Sequence, residues 1–142
     1  AEGQVGTRNA MPLMNLAWKQ TFFWDGRAKT LRDQVLQPIQ DATEMGMTLP
    51  NVLTKLSATT YYPGLFTAAF GTSEITSDRV SLALSQFVRS LVSVNSKFDR
   101  AFGVNGVPNF AASFTAQELA GQDLFNGRAG CARRSSASEF GP

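Results

Sequence analysis

The sequence predicts an all-α chain of short helices joined by long loops. Three observations carry that class. Val80, Leu84, Phe87, Val88, Leu91 and Val92 recur at the spacing of one helical face. Thr115 followed by Glu118 is a capping box, in which each side chain can serve an exposed amide of a helix start. No stretch alternates apolar and polar residues as a half-buried strand does, and there is no internal repeat.

Taken in order, "GTRNAMPLMN" reads as loop with one helical turn at most, and Asp25-Gly26 in "FFWDGR" signals a turn. A helix is expected from Thr30, its N-cap, with Leu31, Val35 and Leu36 on one face. Pro38 is expected to end it, since proline lacks the amide donor and disfavours helix at the preceding residue. "QDATEMGMTLPN" reads as irregular. "NVLTKLSA" can form a short helix capped by Asn51, and "YPGLFTAAF" another, with Pro63 in its first turn and Gly71 just past its end. The longest helix is expected from about Ser77 to Val94, capped by Ser77 or Thr76, with Val80, Leu84, Phe87, Val88 and Leu91 buried. "NSKFDRAFG" adds a turn of helix. "VNGVPNFAAS" is a Gly, Pro and Asn-rich break and the best candidate boundary; after it Leu119, Leu124 and Phe125 are the apolar contacts of the capped helix.

Composition limits the chemistry. The 142 residues fit one ordinary domain or parts of two small ones. Basic residues number 13 and acidic residues 11, without a Lys or Arg run, so there is no electrostatic footprint for nucleic acid or an anionic membrane. No apolar stretch is long enough to span a bilayer. Histidine is absent and Cys131 is the one cysteine. A zinc site of Cys and His, a Ser-His-Asp or Cys-His catalytic set, and an intrachain disulfide are thereby excluded within one chain. "AEGQVGTRNA" is neither a secretory signal nor a Met start, and the chain is expected to begin inside a longer protein or after processing.

Trp24, Gln34 and Glu44 fall at ten-residue intervals in the loop-rich first third. A loop carrying an indole, an amide and a carboxylate is a functional surface in one reading. In the other, Trp24 is core, Gln34 faces solvent and Glu44 is a surface charge. Spacing alone favours the second, because large aromatics usually serve packing.

The motifs shift that balance. Arg8, Asn9, Pro12, Leu13 and Asn15 are followed by Phe23 to Arg27 as FWDGR, and then by Asp33, Gln34, Pro38, Ile39, Glu44 and Met45. This run resembles the bacterial dihaem cytochrome c peroxidases, including the related methylamine-utilisation dihaem enzymes. The later "ALSQFVRSLVSVNSKFDRA" and the stretch from Phe114 to Phe125 resemble them as well, so the likeness covers residues 6 to about 131. Asp33 stands where that family more often has Glu.

The resemblance implies a cytochrome c-like dihaem peroxidase architecture, incomplete here. Two domains would each carry a haem c on a Cys-x-x-Cys-His motif, with a calcium ion between them. Hydrogen peroxide would be reduced to water in the periplasm, with electrons from a small redox donor protein, a cytochrome c or a cupredoxin. By place in the motif, Trp24 matches the electron-transfer tryptophan between the haems. Gln34 and Glu44 match the polar residues over the peroxidatic haem, and Asn9 the asparagine that contacts the calcium region. The residue types suit those roles: a carboxylate in a partly desolvated pocket can move a proton, and an amide can orient peroxide by donating and accepting hydrogen bonds.

The chain departs from the family at its end. Cys131 opens the second attachment motif, but Arg134 and Ser135 stand where its second Cys and its His belong. The expected organisation is 1–105 as the remainder of the N-terminal, peroxidatic haem domain, 106–131 as the start of the second, and 132–142 as a non-native or frame-shifted tail. This chain alone is then expected to hold no covalent haem and to be inactive. Phe22, Phe23 and Trp24, lacking their haem or partner domain, are expected to leave an apolar patch that drives homo-oligomer formation, with Cys131 as an intermolecular link. The other class of function is a haem-free helical module for binding or self-association.

Overall fold

In the computed structural model, which describes residues 5–103 and 106–134 (backbone alone at 133 and 134), helices follow one another through loops. After a 3-10 turn, Leu16–Trp18, come α1 (Leu31–Gln40), α2 (Leu49–Ser57), α3 (Tyr62–Phe70) and α4 (Ser77–Ser90), then α5 (Lys97–Ala101), α6 (Phe110–Ser113), α7 (Ala116–Asn126) and α8 (Cys131–Arg134). Among the described residues the strand-like pairings are isolated antiparallel bridges, Phe22 with Ala28 and Phe102 with Pro108. The fold is all-α. It divides into two compact units, 1–91 and 92–142. Ser135 and the residues after it, the greater part of the expected tail, lie outside the described residues.

In the first unit, local capping signals work as the sequence predicts. The Thr30 hydroxyl accepts from Asp33 N–H at the start of α1, and Thr76 does the same for Arg79 at the start of α4. Gly71 ends α3 at φ 81°, a left-handed conformation that favours glycine. Asn51, by contrast, is not a cap: Thr48 accepts its amide, and Pro50 sits in the first turn of α2, where the lost N–H has no helical partner.

Pro38 does not end α1, which runs on to Gln40. The reason is tertiary. Terminal helix carbonyls need donors, and here Met45 N–H reaches Pro38 O at 3.2 Å while Met47 N–H reaches Ile39 O at 2.8 Å. The following loop folds back and supplies donors to these carbonyls, which the helix end leaves without helical partners.

The core of this unit is built from Leu16, Phe22, Ala28, Leu31, Val35 and Val88, with Met11, Phe23, Leu36 and Leu84 packed around it. Helices α1 and α4 form its centre. The buried face of α4 is Val80, Ser81, Ser85 and Val88, and Phe87 is 60% exposed, contrary to the expected stripe; Leu84 and Leu91 are half-buried. Helix separation depends on the side chains at the contact, and serines let α1 come close where Phe87 would hold it off. Their hydroxyls are satisfied within α4: Ser81 Oγ donates to Asp78 O at 2.7 Å and Ser85 Oγ to Leu82 O at 2.9 Å. Arg32 of α1 pairs with Asp78 of α4 beside them. Helix α4 is also four residues shorter than expected, ending at Ser90 rather than Val94.

The second unit is organised by aromatic rings. Phe98, Phe102, Phe110 and Phe114 form a connected set with centroids 5.2–5.6 Å apart. Leu124 and Phe125 of α7 are 46% and 47% exposed, so they are not the packed contacts the sequence suggested. The expected capping box forms: Thr115 Oγ1 receives Glu118 N–H, and Glu118 Oε2 receives Thr115 N–H at 2.7 Å. Lys97 of α5 adds a contact to the same carboxylate at 2.5 Å. A second capping box, Ser96 with Asp99, starts α5.

Hydrogen bonds from Lys97 and Thr115 lower the Glu118 carboxyl to about 2 from an ordinary 4.5. A depressed carboxyl stabilises the folded form fully above its ordinary pKa and loses that contribution as pH falls through the folded value. The first turn of α7 is therefore expected to lose amide-exchange protection between pH 4.5 and about 2. Glu118→Gln should remove that pH dependence; protection that stays flat across the window in the unaltered chain would refute the assignment.

Candidate functional site

FWDGR is a tight turn closed by the Phe22–Ala28 bridge, in which Phe22 N–H donates to Ala28 O at 2.9 Å. Phe22 is 4% exposed, anchored in the core, so it does not belong to an open apolar patch as expected. Phe23 takes φ 65° and Gly26 φ 66°. Left-handed backbone is routine for glycine and costs a side-chain-bearing residue about 1–2 kcal/mol, so the turn is strained at Phe23 and must be held by its surroundings.

The segment 8–11 supplies part of that hold. Arg8 Nη1 lies 2.5 Å from Asp25 Oδ2, Trp24 Nε1 donates to Asn9 O at 2.9 Å, and Phe23 N–H donates to Met11 Sδ at 3.1 Å. Partial desolvation acts to raise the Asp25 carboxyl, but the hydrogen bonds from Arg8 and Arg27 outweigh it and lower the group to about 2. Trp24 thus has its indole nitrogen fixed while the residue stays 65% exposed, which rules out the core role.

Arg27 supplies the remainder. Its guanidinium lies 3.5 Å from the Phe23 ring centroid, reaches Asp25 Oδ1 at 3.1 Å, and donates through Nε to Gln37 Oε1 at 3.2 Å. Gln37 is on α1, one turn beyond Gln34. Gln34 is 5% exposed and so does not face solvent as the packing reading had it.

Past α1, Asp41 builds the turn that carries Glu44. Its carboxylate accepts from Thr43 N–H at 2.8 Å and Thr43 Oγ1 at 2.6 Å, and its carbonyl accepts from Glu44 N–H at 3.1 Å and Gly46 N–H at 2.7 Å. Those Thr43 bonds, joined by the positive charge of Arg27, hold the Asp41 carboxyl below its ordinary value. Glu44 itself is exposed, as is Met45.

The structure therefore joins Trp24 to Asn9 directly and links the Trp24 turn through Arg27 to α1, while among the described residues neither forms a hydrogen bond or ion pair with Glu44. Cys131 is half-buried at the start of α8, in the second unit. Sequence reasoning missed Arg27 and Asp41 as organisers. Asp41-Ala42-Thr43 carried the signal of an Asx turn, and Arg27 was visible only as part of the motif.

A c-type haem needs two thioethers and an axial histidine. One cysteine and no histidine do not meet that need, so the residues of this chain do not by themselves fit the group. Among the described residues no three His, Cys, Asp or Glu side chains cluster as a metal site, and the backbone carbonyl of Asn9 accepts from the Trp24 indole.

Residues 1–106 match the family model described as di-haem cytochrome c peroxidase. The chain is 40% identical over 135 residues to the methylamine utilization protein MauG of Methylorubrum extorquens, covering 94% of this chain and 36% of that protein. It is 36% identical over 128 residues to the cytochrome c551 peroxidase of Nitrosomonas europaea, covering 90% of this chain and 36% of that protein. Against the cytochrome c551 peroxidase of Pseudomonas aeruginosa it is 35% identical over 98 residues, 68% of this chain and 28% of that protein. The chain thus spans about a third of the length of these relatives. With its motif turn, its helical fold and this match over most of its length, the chain belongs to the di-haem cytochrome c peroxidase family.

Proposed function

We propose that this chain is a segment of a periplasmic di-haem peroxidase that reduces hydrogen peroxide to water with electrons from a small cytochrome c or cupredoxin. The observation that carries the reading is Trp24: 65% exposed, yet fixed by its indole nitrogen on a strained turn. An aromatic side chain held without being covered suits a residue whose partner surface lies in the rest of the protein. In the intact protein the haems supply the redox chemistry. Trp24 would serve electron transfer between them, and Asn9, whose backbone carbonyl accepts from the indole, would contact the calcium region through its side chain. Glu44 takes a proton from one oxygen of peroxide and gives it to the other, and Gln34 orients the substrate by its amide. Cys131 is the remnant of the second attachment motif, in the start of the second haem domain.

The test is peroxide-dependent oxidation of a reduced cytochrome c or cupredoxin by the intact protein; donor oxidation that does not respond to peroxide would refute the reading. The 142-residue chain alone should show no Soret band and no haem mass adduct, because it lacks the second cysteine and the histidine. A covalent adduct would overturn that part.

Exposed Trp18, Trp24 and Phe87, each 60–65% accessible, support a second reading of the chain alone as a self-associating module. Sedimentation with and without reductant tests it, since Cys131 would add a reducible link. A monomer in both conditions would remove it.

A further inference from the structure

We propose that Arg27 is the positioning residue that fixes the Trp24 turn against α1, the helix carrying Gln34. The proposal rests on the preceding reading, in which Trp24 and Gln34 work together.

Arg27 touches both parts that must keep register. On its own turn it covers the Phe23 ring at 3.5 Å and binds Asp25, the residue next to Trp24, at 3.1 Å. On α1 it donates to Gln37 at 3.2 Å. The contacts run from Trp24 through its neighbour Asp25 and Arg27 to Gln37 on α1.

The residue type matters. A guanidinium is planar, so it can lie on a ring face while its edge donates in several fixed directions. A lysine ammonium is a point charge and cannot hold a ring, a carboxylate and an amide oxygen in one geometry. The side chain is 46% exposed, so it adds little to the core and its loss should leave the fold intact. Phe23 at φ 65° gives the clamp something to oppose, since that turn relaxes where its hold is released.

Hydrogen exchange on the full 142-residue chain tests the clamp without reference to activity. Arg27→Ala is expected to speed exchange of the Trp24 indole N–H by about tenfold or more, leaving α4 unchanged. Arg27→Lys is expected to leave the indole as fast as in Arg27→Ala, and Lys19→Ala to leave it as in the unaltered chain. Unchanged indole exchange in Arg27→Ala overturns the proposal. In the intact protein, Arg27→Ala should lower kcat for peroxide with KM unaltered, and Arg27→Lys should not restore it. Wild-type kcat in Arg27→Ala, with Glu44→Gln impaired, also overturns the proposal. Wild-type turnover in Glu44→Gln sinks the functional reading instead, and the exchange data still decide the clamp.

Discussion

Glu44→Gln in the intact protein is expected to lower the steady-state rate of peroxide reduction by a factor of about 10² to 10⁴, the usual weight of general acid–base catalysis. The change keeps the shape of the side chain and removes its titratable proton. It should not disturb the local fold, because the turn is made by Asp41 and by backbone groups, Glu44 contributing its N–H to Asp41 O at 3.1 Å. A circular dichroism spectrum matching the unaltered protein would confirm that point. Gln34 replacement should cost less in rate, since water can take over part of its hydrogen bonding. Turnover in Glu44→Gln equal to that of the unaltered protein would return Glu44 to the role of a surface charge.

Leu31→Ala is expected to cause the largest loss of stability, about 2–5 kcal/mol. Leu31 is 2% exposed and packs in one cluster with Leu16 and Phe22, the side chains that seat α1 against the base of the FWDGR turn. Against total stabilities of about 5–15 kcal/mol for small domains, that loss removes a large share of the folded state. Phe87→Ala serves as the comparison: it deletes a larger side chain from the same unit, but one 60% exposed, and should cost within about 0.5 kcal/mol. Urea unfolding of the three chains measures both. Similar shifts for Leu31→Ala and Phe87→Ala would show the core to be wrongly drawn.

That contrast also marks what the sequence could convey. Thr30, Thr76, Gly71 and the Thr115–Glu118 pair act on amides and carbonyls within a few residues, so their roles could be read locally. The stripe on α4 could not, because apolar spacing says that a helix has a buried face but not which neighbour covers it. Here the neighbour is α1, and closeness selected Ser81 and Ser85 over Phe87. Pro38 was misleading for a similar reason: the donors that let α1 continue come from Met45 and Met47, beyond the helix. For the candidate site, the motif pointed to Trp24, Gln34 and Glu44 by number, but the burial of Gln34 and the linking role of Arg27 depend on how the turn lies against α1.

The left-handed Phe23 sets two selection pressures against each other. A library screened only for heat resistance should drift toward glycine or asparagine at this position, because either relieves a penalty of about 1–2 kcal/mol carried by the phenylalanine backbone. Either change would also strip away the ring on which Arg27 rests. Under the proposed function, a library screened for peroxide turnover should keep the aromatic and tolerate the lower melting temperature.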